Sequence, residues 1–285
     1  MKPILKSKLA FMAIIVMGIF ILVQMGLYLV HEIWDVEFKL NLFQYCLTAL
    51  KEKTWSHSGV KLLFNLLIIY TATNILFKLV KQNYQTYKWE QIFDRRKHKK
   101  LTKRLNNKYR SWNTEILVVQ DNSFIALAIG LIKPRIVIST KVLEIFEEEE
   151  VKAILLHERF HCMNYDPLKV FITSLISVGM NYVPVIKNLF YYYKTWTELI
   201  ADYYAVKEMG SSYTLGKVLL RLTKIVPIKH LQFGVSFSDV SINYRIMQVI
   251  EPEHKIRVPA IYFKSVMFTF LILLIMIGTV LGGCS

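Results

Sequence analysis

The stretch His157-Glu158-Arg159-Phe160-His161 decides how the rest of this 285-residue chain is interpreted. It has the pattern H-E-x-x-H, and the residues before it mix acidic and apolar side chains at helical spacing, which predicts a helix over 147–164. Because residues four apart project from one helical face, both imidazoles can bind the same metal ion. Glu158 lies beside them and can take a proton from the attacking water.

A third metal ligand is expected downstream, because hydrolytic zinc sites usually have three protein ligands and an open fourth position. The stretch Glu198-Leu199-Ile200-Ala201-Asp202 provides a second i,i+4 pair, with both carboxylates on one helical face. Glu198 would complete a His₂Glu set, and Asp202 would accept the outer N–H of a ligating imidazole and so fix its tautomer. Alone, this acidic pair would be interpreted as a solvated face. Together with the upstream motif, it predicts a Zn²⁺ site.

In combination, these motifs resemble the BlaR/MecR antirepressor family of integral-membrane zinc metallopeptidases. HERFH with the following Asp166-Pro167, ELIAD, the Gly-Leu-Ile-Lys-Pro stretch within 129–138, and Asn181-Tyr182-Val183-Pro184 carry the resemblance, over roughly residues 115–208. The resemblance implies that His157, His161 and Glu198 bind zinc, that Glu158 is the general base, and that Asp202 supports the ligands. It also implies a protein or peptide substrate, such as a transcriptional repressor or the protease itself.

Two departures from the family limit what the resemblance implies. Arg159 stands where members more often have leucine, which leaves the chemistry intact. Antibiotic-receptor members carry a penicillin-binding sensor after their last span, and this sequence has none, so β-lactam sensing is not expected here.

We therefore expect a membrane-embedded zinc metalloendopeptidase that cleaves a cytoplasmic regulatory protein. One alternative is an HtpX-like quality-control protease, which shares the HExxH…ExxxD pattern. That family typically has a transmembrane hairpin between the histidines and the glutamate, whereas only 36 residues separate His161 from Glu198. A second alternative is a non-catalytic membrane signalling scaffold, although a scaffold has no need of an intact base and ligand set.

Composition indicates a membrane protein. Apolar residues make up 54% of the chain, above the usual share for a soluble domain, and they are clustered. The runs 9–30, 62–80 and 261–281 are each long enough to cross a hydrocarbon core of about 30 Å. We expect an N-terminal transmembrane hairpin in 1–80, a peptidase domain in 81–259 and a C-terminal transmembrane helix in 260–285.

Lys and Arg predict the orientation of these spans. Residues 81–110 contain eleven Lys and Arg against two acidic residues, which marks this side as cytosolic, and the short N-terminus is also basic. The protein would then lie in a bacterial cell membrane with its active site facing the cytosol. The net charge of +15 is in part a topology signal and in part an attraction to anionic lipids. No recognised DNA- or RNA-binding motif accompanies the basic cluster, so nucleic acid is not an expected partner.

The segment 170–187 is apolar enough to be mistaken for a further span. A single crossing would leave Glu198 on the opposite side of the membrane from His161, so no three-ligand site could form. Two crossings need about 20 residues each, more than the intervening chain provides. We therefore predict a membrane-associated helix that returns to its own side, with a break at Gly179 and Pro184.

The remaining patterns predict a small sheet and amphipathic helices around the site. Short β-branched runs indicate strands over 115–120 and 135–139, with either another strand or a connecting arm in 123–130. A strand edge near the cleft is expected to receive substrate. Helices are predicted over 88–110 and 211–226. Arg245 is assigned a packing role, and Cys162 is expected to be a small buried residue. The predicted fold is thus an α-helical membrane protein with a small β-sheet and a zincin-like, gluzincin-type peptidase domain between its transmembrane helices.

Overall fold

The computed structural model describes residues 2–34, 54–225, 235–236, 242–251 and 256–271. This part of the chain is mostly helical with one small sheet, in agreement with the predicted fold class. The helices are α1 (Lys2–Trp34), α2 (Thr54–Arg95), α3 (Lys99–Lys108), α4 (Thr140–Ile145), α5 (Glu148–Met163), α6 (Asp166–Gly179), α7 (Pro184–Met209), α8 (Tyr213–Ile225) and α9 (Ile242–Ile250). The strands are β1 (Ile116–Val119), β2 (Ala126–Ile129), β3 (Arg135–Ser139) and β4 (Val235–Ser236).

The chain forms two compact units. One unit comprises Met1–Ser7, Lys81–Ile172 and Tyr193–Val258, and the other comprises Lys8–Val80, Thr173–Tyr192 and Pro259–Ser285. His161 and Glu198 therefore belong to the same unit, although part of the chain between them belongs to the other.

Two of the described helices are long and apolar enough to cross a membrane. They are Pro3–Trp34 and Lys61–Arg95, and the predicted spans 9–30 and 62–80 lie within them. Many of their large apolar side chains remain exposed, as lipid-facing side chains would be; Leu9, for example, is 60% exposed. Residues 263–271 of the third predicted span are helical, whereas residues 272–281 lie outside the described residues.

Close helix contacts hold the second unit together. A Cβ added at Gly18 of α1 would lie 2.8 Å from the Ile176 side chain of α6, and one added at Gly179 would lie 2.5 Å from Ile75 of α2. These glycines let α6 approach both long helices. Helix α6 ends at Gly179 and α7 begins at Pro184, the two residues expected to allow a break.

The sheet of the first unit has the strand order β1-β3-β2-β4. Strands β1 and β3 are parallel, whereas β2 pairs antiparallel with both β3 and β4. One face, which includes Ala126 and Ala128 of β2, packs in the core that contains α5 and α8. The opposite face, which includes Leu127 and Ile129, packs against Phe93 near the end of α2. The sheet is therefore covered by helices on both faces.

The prediction of one helix over 88–110 was wrong, because the chain leaves the helical path at residues 96–98. The His98 N–H donates to the Val118 carbonyl at 2.8 Å, and the Gln120 N–H donates to the Arg96 carbonyl at 2.8 Å. This short pairing beside β1 satisfies backbone groups that a continuous helix would have bonded internally. The next helix, α3, then starts with the His98 Nδ1 accepting from the Leu101 N–H at 3.3 Å.

Candidate metal centre

Helix α5 positions the two histidines and the glutamate of the HExxH motif. Its N-terminus has a capping box. The Glu147 side chain accepts from the backbone N–H of Glu150, and the Glu150 side chain accepts from the backbone N–H of Glu147. His157, Glu158 and His161 are all fully buried. The two imidazoles face each other, with their Nε2 atoms 3.1 Å apart, as the i,i+4 spacing predicts.

Helix α7 brings the predicted third ligand to the same point. Glu198 Oε2 lies 3.3 Å from His157 Nε2, and Glu198 Oε1 lies 3.7 Å from His161 Nε2. One ligand atom from each of these three buried residues can be chosen so that all lie within 4.8 Å of one another. The three residues could therefore hold one metal ion.

A carboxylate contacts the Nδ1 atom of each imidazole and so orients the ring. His157 Nδ1 lies 2.8 Å from Asp202 Oδ1, as predicted, and His161 Nδ1 lies 2.9 Å from Asp166 Oδ2. The hydrogen-bond network assigns the proton of each ring to Nδ1, because an ionised carboxylate can only accept. Both Nε2 atoms are then unprotonated, as metal-binding imidazole nitrogens must be. Asp166 was not given this role from the sequence, although it stands in the Asp166-Pro167 pair that follows the motif.

This arrangement fits a cation. Two acceptor Nε2 atoms 3.1 Å apart repel each other unless a positive species lies between or beside them. Glu198 is buried and has an ion-pair contact with Arg245, but neither of its oxygens accepts a well-aligned hydrogen bond from any residue that the structure describes. A metal ion bound by the three side chains would satisfy all of these acceptors.

Arg245 has a larger role than the packing function assigned to it from the sequence. It is fully buried, and it donates to both oxygens of Asp202, from Nε at 2.6 Å and from Nη2 at 2.7 Å. Its Nη1 also lies 3.1 Å from Glu198 Oε2. Helix α9 thus contributes a cation that fixes the carboxylate behind His157 and touches the proposed ligand on α7.

The charges around this cluster explain the pKa shifts of its acidic groups. Burial by itself would raise the pKa of Asp202, but the charge of Arg245 and the hydrogen bonds from Arg245 and His157 outweigh it and hold the pKa at about 2. The pKa of Glu198 is also lowered: burial again opposes, and Arg245 is the largest favourable influence. Both carboxylates are therefore ionised at neutral pH.

Glu158 lies in a different electrostatic environment. Burial raises the pKa of its carboxyl group to about 8, and the charge of Glu198 contributes in the same direction. His161, Arg245 and the backbone N–H of Ala128 oppose the rise. Because the Ala128 N–H is close enough to lower the pKa of Glu158, the Glu158 carboxyl group lies beside strand β2. A divalent cation at the neighbouring ligands would oppose this rise in pKa and favour the ionised form that a base requires.

The family comparison is consistent with this geometry. Residues 48–249, most of the chain, match the family model described as BlaR1 peptidase M56. The chain belongs to this peptidase family. M56 members are metallopeptidases, which agrees with the metal-binding potential of His157, His161 and Glu198. Two of the described helices are long and apolar enough to cross a membrane, which is consistent with a membrane-bound member of this family.

One M56 relative is a regulatory protein. The chain is 30% identical over 101 residues to "Regulatory protein BlaR1" of Bacillus licheniformis. The match covers 35% of this chain and 17% of the relative, so the chain spans a small part of the relative's length.

Proposed function

We propose that this protein is a membrane-embedded zinc metalloendopeptidase that hydrolyses peptide bonds of a cytoplasmic regulatory protein, a transcriptional repressor or the protease itself. The observation that carries the proposal is the meeting of His157, His161 and Glu198, all acceptors, beside the buried carboxyl group of Glu158. Two imidazoles and one carboxylate are a donor set that zinc prefers in hydrolytic sites.

Glu158 supplies the proton chemistry in this proposal. His157, His161 and Glu198 would hold Zn²⁺, which would polarise the scissile carbonyl and make the attacking water more acidic. Glu158 accepts the proton of that water and then delivers it to the leaving amine, so one carboxyl group acts first as base and then as acid. Asp166 and Asp202 keep the two imidazoles in the tautomer that presents Nε2 to the metal.

Strand β2 offers the substrate a binding edge next to Glu158. Strand β4 consists of two residues, which pair with β2 at Leu127 and Ala128. Without β4, β2 would be an edge strand of the sheet. The outer edge of β2 therefore already pairs with one short extended segment, β4. A substrate that takes the place of β4 would gain main-chain hydrogen bonds and would pass beside the proposed base.

The distribution of charge supports a cytosolic active site in a bacterial cell membrane. The eleven Lys and Arg in 81–110 follow the second membrane-length helix, as expected for the inner side. In this arrangement 1–80 forms a transmembrane hairpin, 81–259 the peptidase domain with 170–187 at or in the bilayer, and 260–285 a third span. The regulatory name of the relative favours a signalling protease over general quality control.

Metal-dependent cleavage by the full-length protein tests this proposal. Protein purified in nanodiscs would be incubated with casein and with its own chain, in the presence of a chelator and after zinc is restored. We expect chelation to abolish cleavage and zinc to restore it. Glu158→Gln should lower the rate by about 10²–10⁴-fold while leaving bound metal unchanged.

Glu149→Gln is the matched control, because Glu149 lies on the same helix with its side chain 67% exposed. It should cleave as fast as the unaltered protein. A Glu158→Gln protein that cleaves at the rate of this control would contradict the proposed base.

A further inference from the structure

The outer edge of β2 determines where the side chains of a bound peptide would point. Leu127 pairs with Ser236 and Ala128 pairs with Val235 in the antiparallel register of β2 and β4. Directly opposed residues of an antiparallel pair project from the same face of the sheet. A peptide residue opposite Ala128 would therefore face α5 and the metal centre, whereas a residue opposite Leu127 would face the other side.

A pocket lies on that other side. Its walls are apolar side chains from β2 and from the end of α2, among them Trp89, Phe93, Leu127 and Ile129. The pocket contacts β2 but neither β1 nor β3 among the strands that the structure describes. It is therefore located over the outermost long strand, next to the edge on which a peptide would lie.

The lining of the pocket indicates what it would accept. Most of its wall is aromatic or aliphatic, as in pockets that bind large apolar groups. Three polar residues of α2, all half-buried, also line the pocket: Gln82, Thr86 and Glu90. An acidic side chain entering the pocket would meet the carboxyl group of Glu90, and like charges at short range repel.

We propose that this pocket binds a large apolar side chain of the peptide substrate, from the residue that pairs with Leu127, and so sets the sequence preference at one substrate position. The inference rests on the proposed peptidase function and adds to it a specificity determinant outside the metal centre. Alternate residues of the peptide would then be recognised on opposite faces of the sheet.

Filling the pocket tests the inference. Thr86→Trp would occupy the space available to the substrate side chain, and Tyr87→Trp, at a neighbouring position that is 63% exposed, is the matched control. Full-length proteins in nanodiscs with zinc would digest a peptide library, with cleavage sites read by mass spectrometry. The unaltered protein should prefer Leu, Phe or Met at one position, and Thr86→Trp should reduce that preference by about tenfold in favour of Ala and Ser. Tyr87→Trp should leave the profile unchanged.

Glu90→Lys is a second variant that changes charge rather than volume. It should relieve the discrimination against Asp and Glu at the same substrate position, relative to cleavage of the other sequences in the library. Cleavage with an unchanged profile in both variants would overturn the pocket assignment while the peptidase function stands. Loss of a bound phospholipid from Thr86→Trp with an unchanged profile would overturn it in favour of a lipid site. Absence of cleavage by the unaltered, zinc-loaded protein would overturn the proposed function and this inference with it.

Discussion

Replacement of Arg245 by methionine tests the charge network that supports the metal centre without removing a proposed ligand. The guanidinium is fully buried, donates to both oxygens of Asp202 and lies 3.1 Å from Glu198. Methionine fills much of the same space but has no charge. The variant would therefore leave the carboxylate of Asp202 buried without its cationic partner.

Removal of one partner of a buried ion pair costs about 3–5 kcal/mol, because the remaining charge is uncompensated. Each kcal/mol lowers the unfolding midpoint of a chain of this size by roughly 2–4 °C. The two figures together predict a midpoint for Arg245→Met that is lower by roughly 6–20 °C. Arg245→Lys keeps the charge but loses the two-point contact with Asp202. Its unfolding midpoint should therefore lie between those of Arg245→Met and the unaltered protein.

Thermal unfolding of the chelated, full-length proteins, followed by tryptophan fluorescence, measures this difference. Arg110→Met is the control, since Arg110 is an exposed residue of the same unit. A midpoint for Arg245→Met within about 2 °C of the control would refute the reasoning, because two degrees is well below the shift expected for a broken buried pair.

Three further outcomes are expected. Asp166→Asn should weaken metal binding by about 10–100-fold in a chelator-competition titration, because the carboxylate that orients its histidine is lost; unchanged affinity would contradict the role given to Asp166. Gly179→Val should lower the stability of the chain by about 1–3 kcal/mol in chemical unfolding, because its side chain would collide with Ile75, whereas Gly26→Val, with nothing within 4 Å, should have little effect. Cys162, whose thiol pKa is raised by burial, should resist alkylation in the native protein and react only after unfolding; rapid labelling of the native protein would contradict its burial.

Local periodicity predicted the elements that carry the site. The HExxH helix was expected over 147–164 and runs Glu148–Met163, and the strands expected over 115–120 and 135–139 appear as Ile116–Val119 and Arg135–Ser139. These predictions of secondary structure were correct because apolar spacing and capping residues act within a few positions of each other. The interruption at 96–98 was missed because it depends on pairing with β1, a contact that helical spacing does not encode.

The same difference between local patterns and long-range contacts explains which residues of the metal centre were predicted and which were not. His157, His161, Glu198 and Asp202 come together as expected, since each pair shares one face of a helix. Asp166 is five residues from His161 and reaches it only because the helix ends at Met163 and Tyr165 adopts a positive φ of 53°. Arg245 is 43 residues from Asp202, and no local pattern indicates such a pairing.

The mixed sheet also shows what sequence patterns leave open. Hydrophobic runs indicated strands, but they did not indicate that β3 would lie between a parallel and an antiparallel neighbour. That order depends on how the helices on both faces pack, which is decided by tertiary contacts. It matters for function, because it makes β2 the strand whose outer edge lies beside Glu158.

X-ray absorption at the zinc edge, combined with metal analysis of the purified full-length protein, tests the central claim most directly. We predict one zinc ion per chain, with two nitrogen ligands at about 2.0–2.1 Å and carboxylate oxygen at about 2.0–2.2 Å. Zinc should be retained in Glu158→Gln and largely lost in Glu198→Ala. Protein that binds no zinc after zinc loading, or that keeps the same zinc signal when Glu198 is removed, would contradict the account.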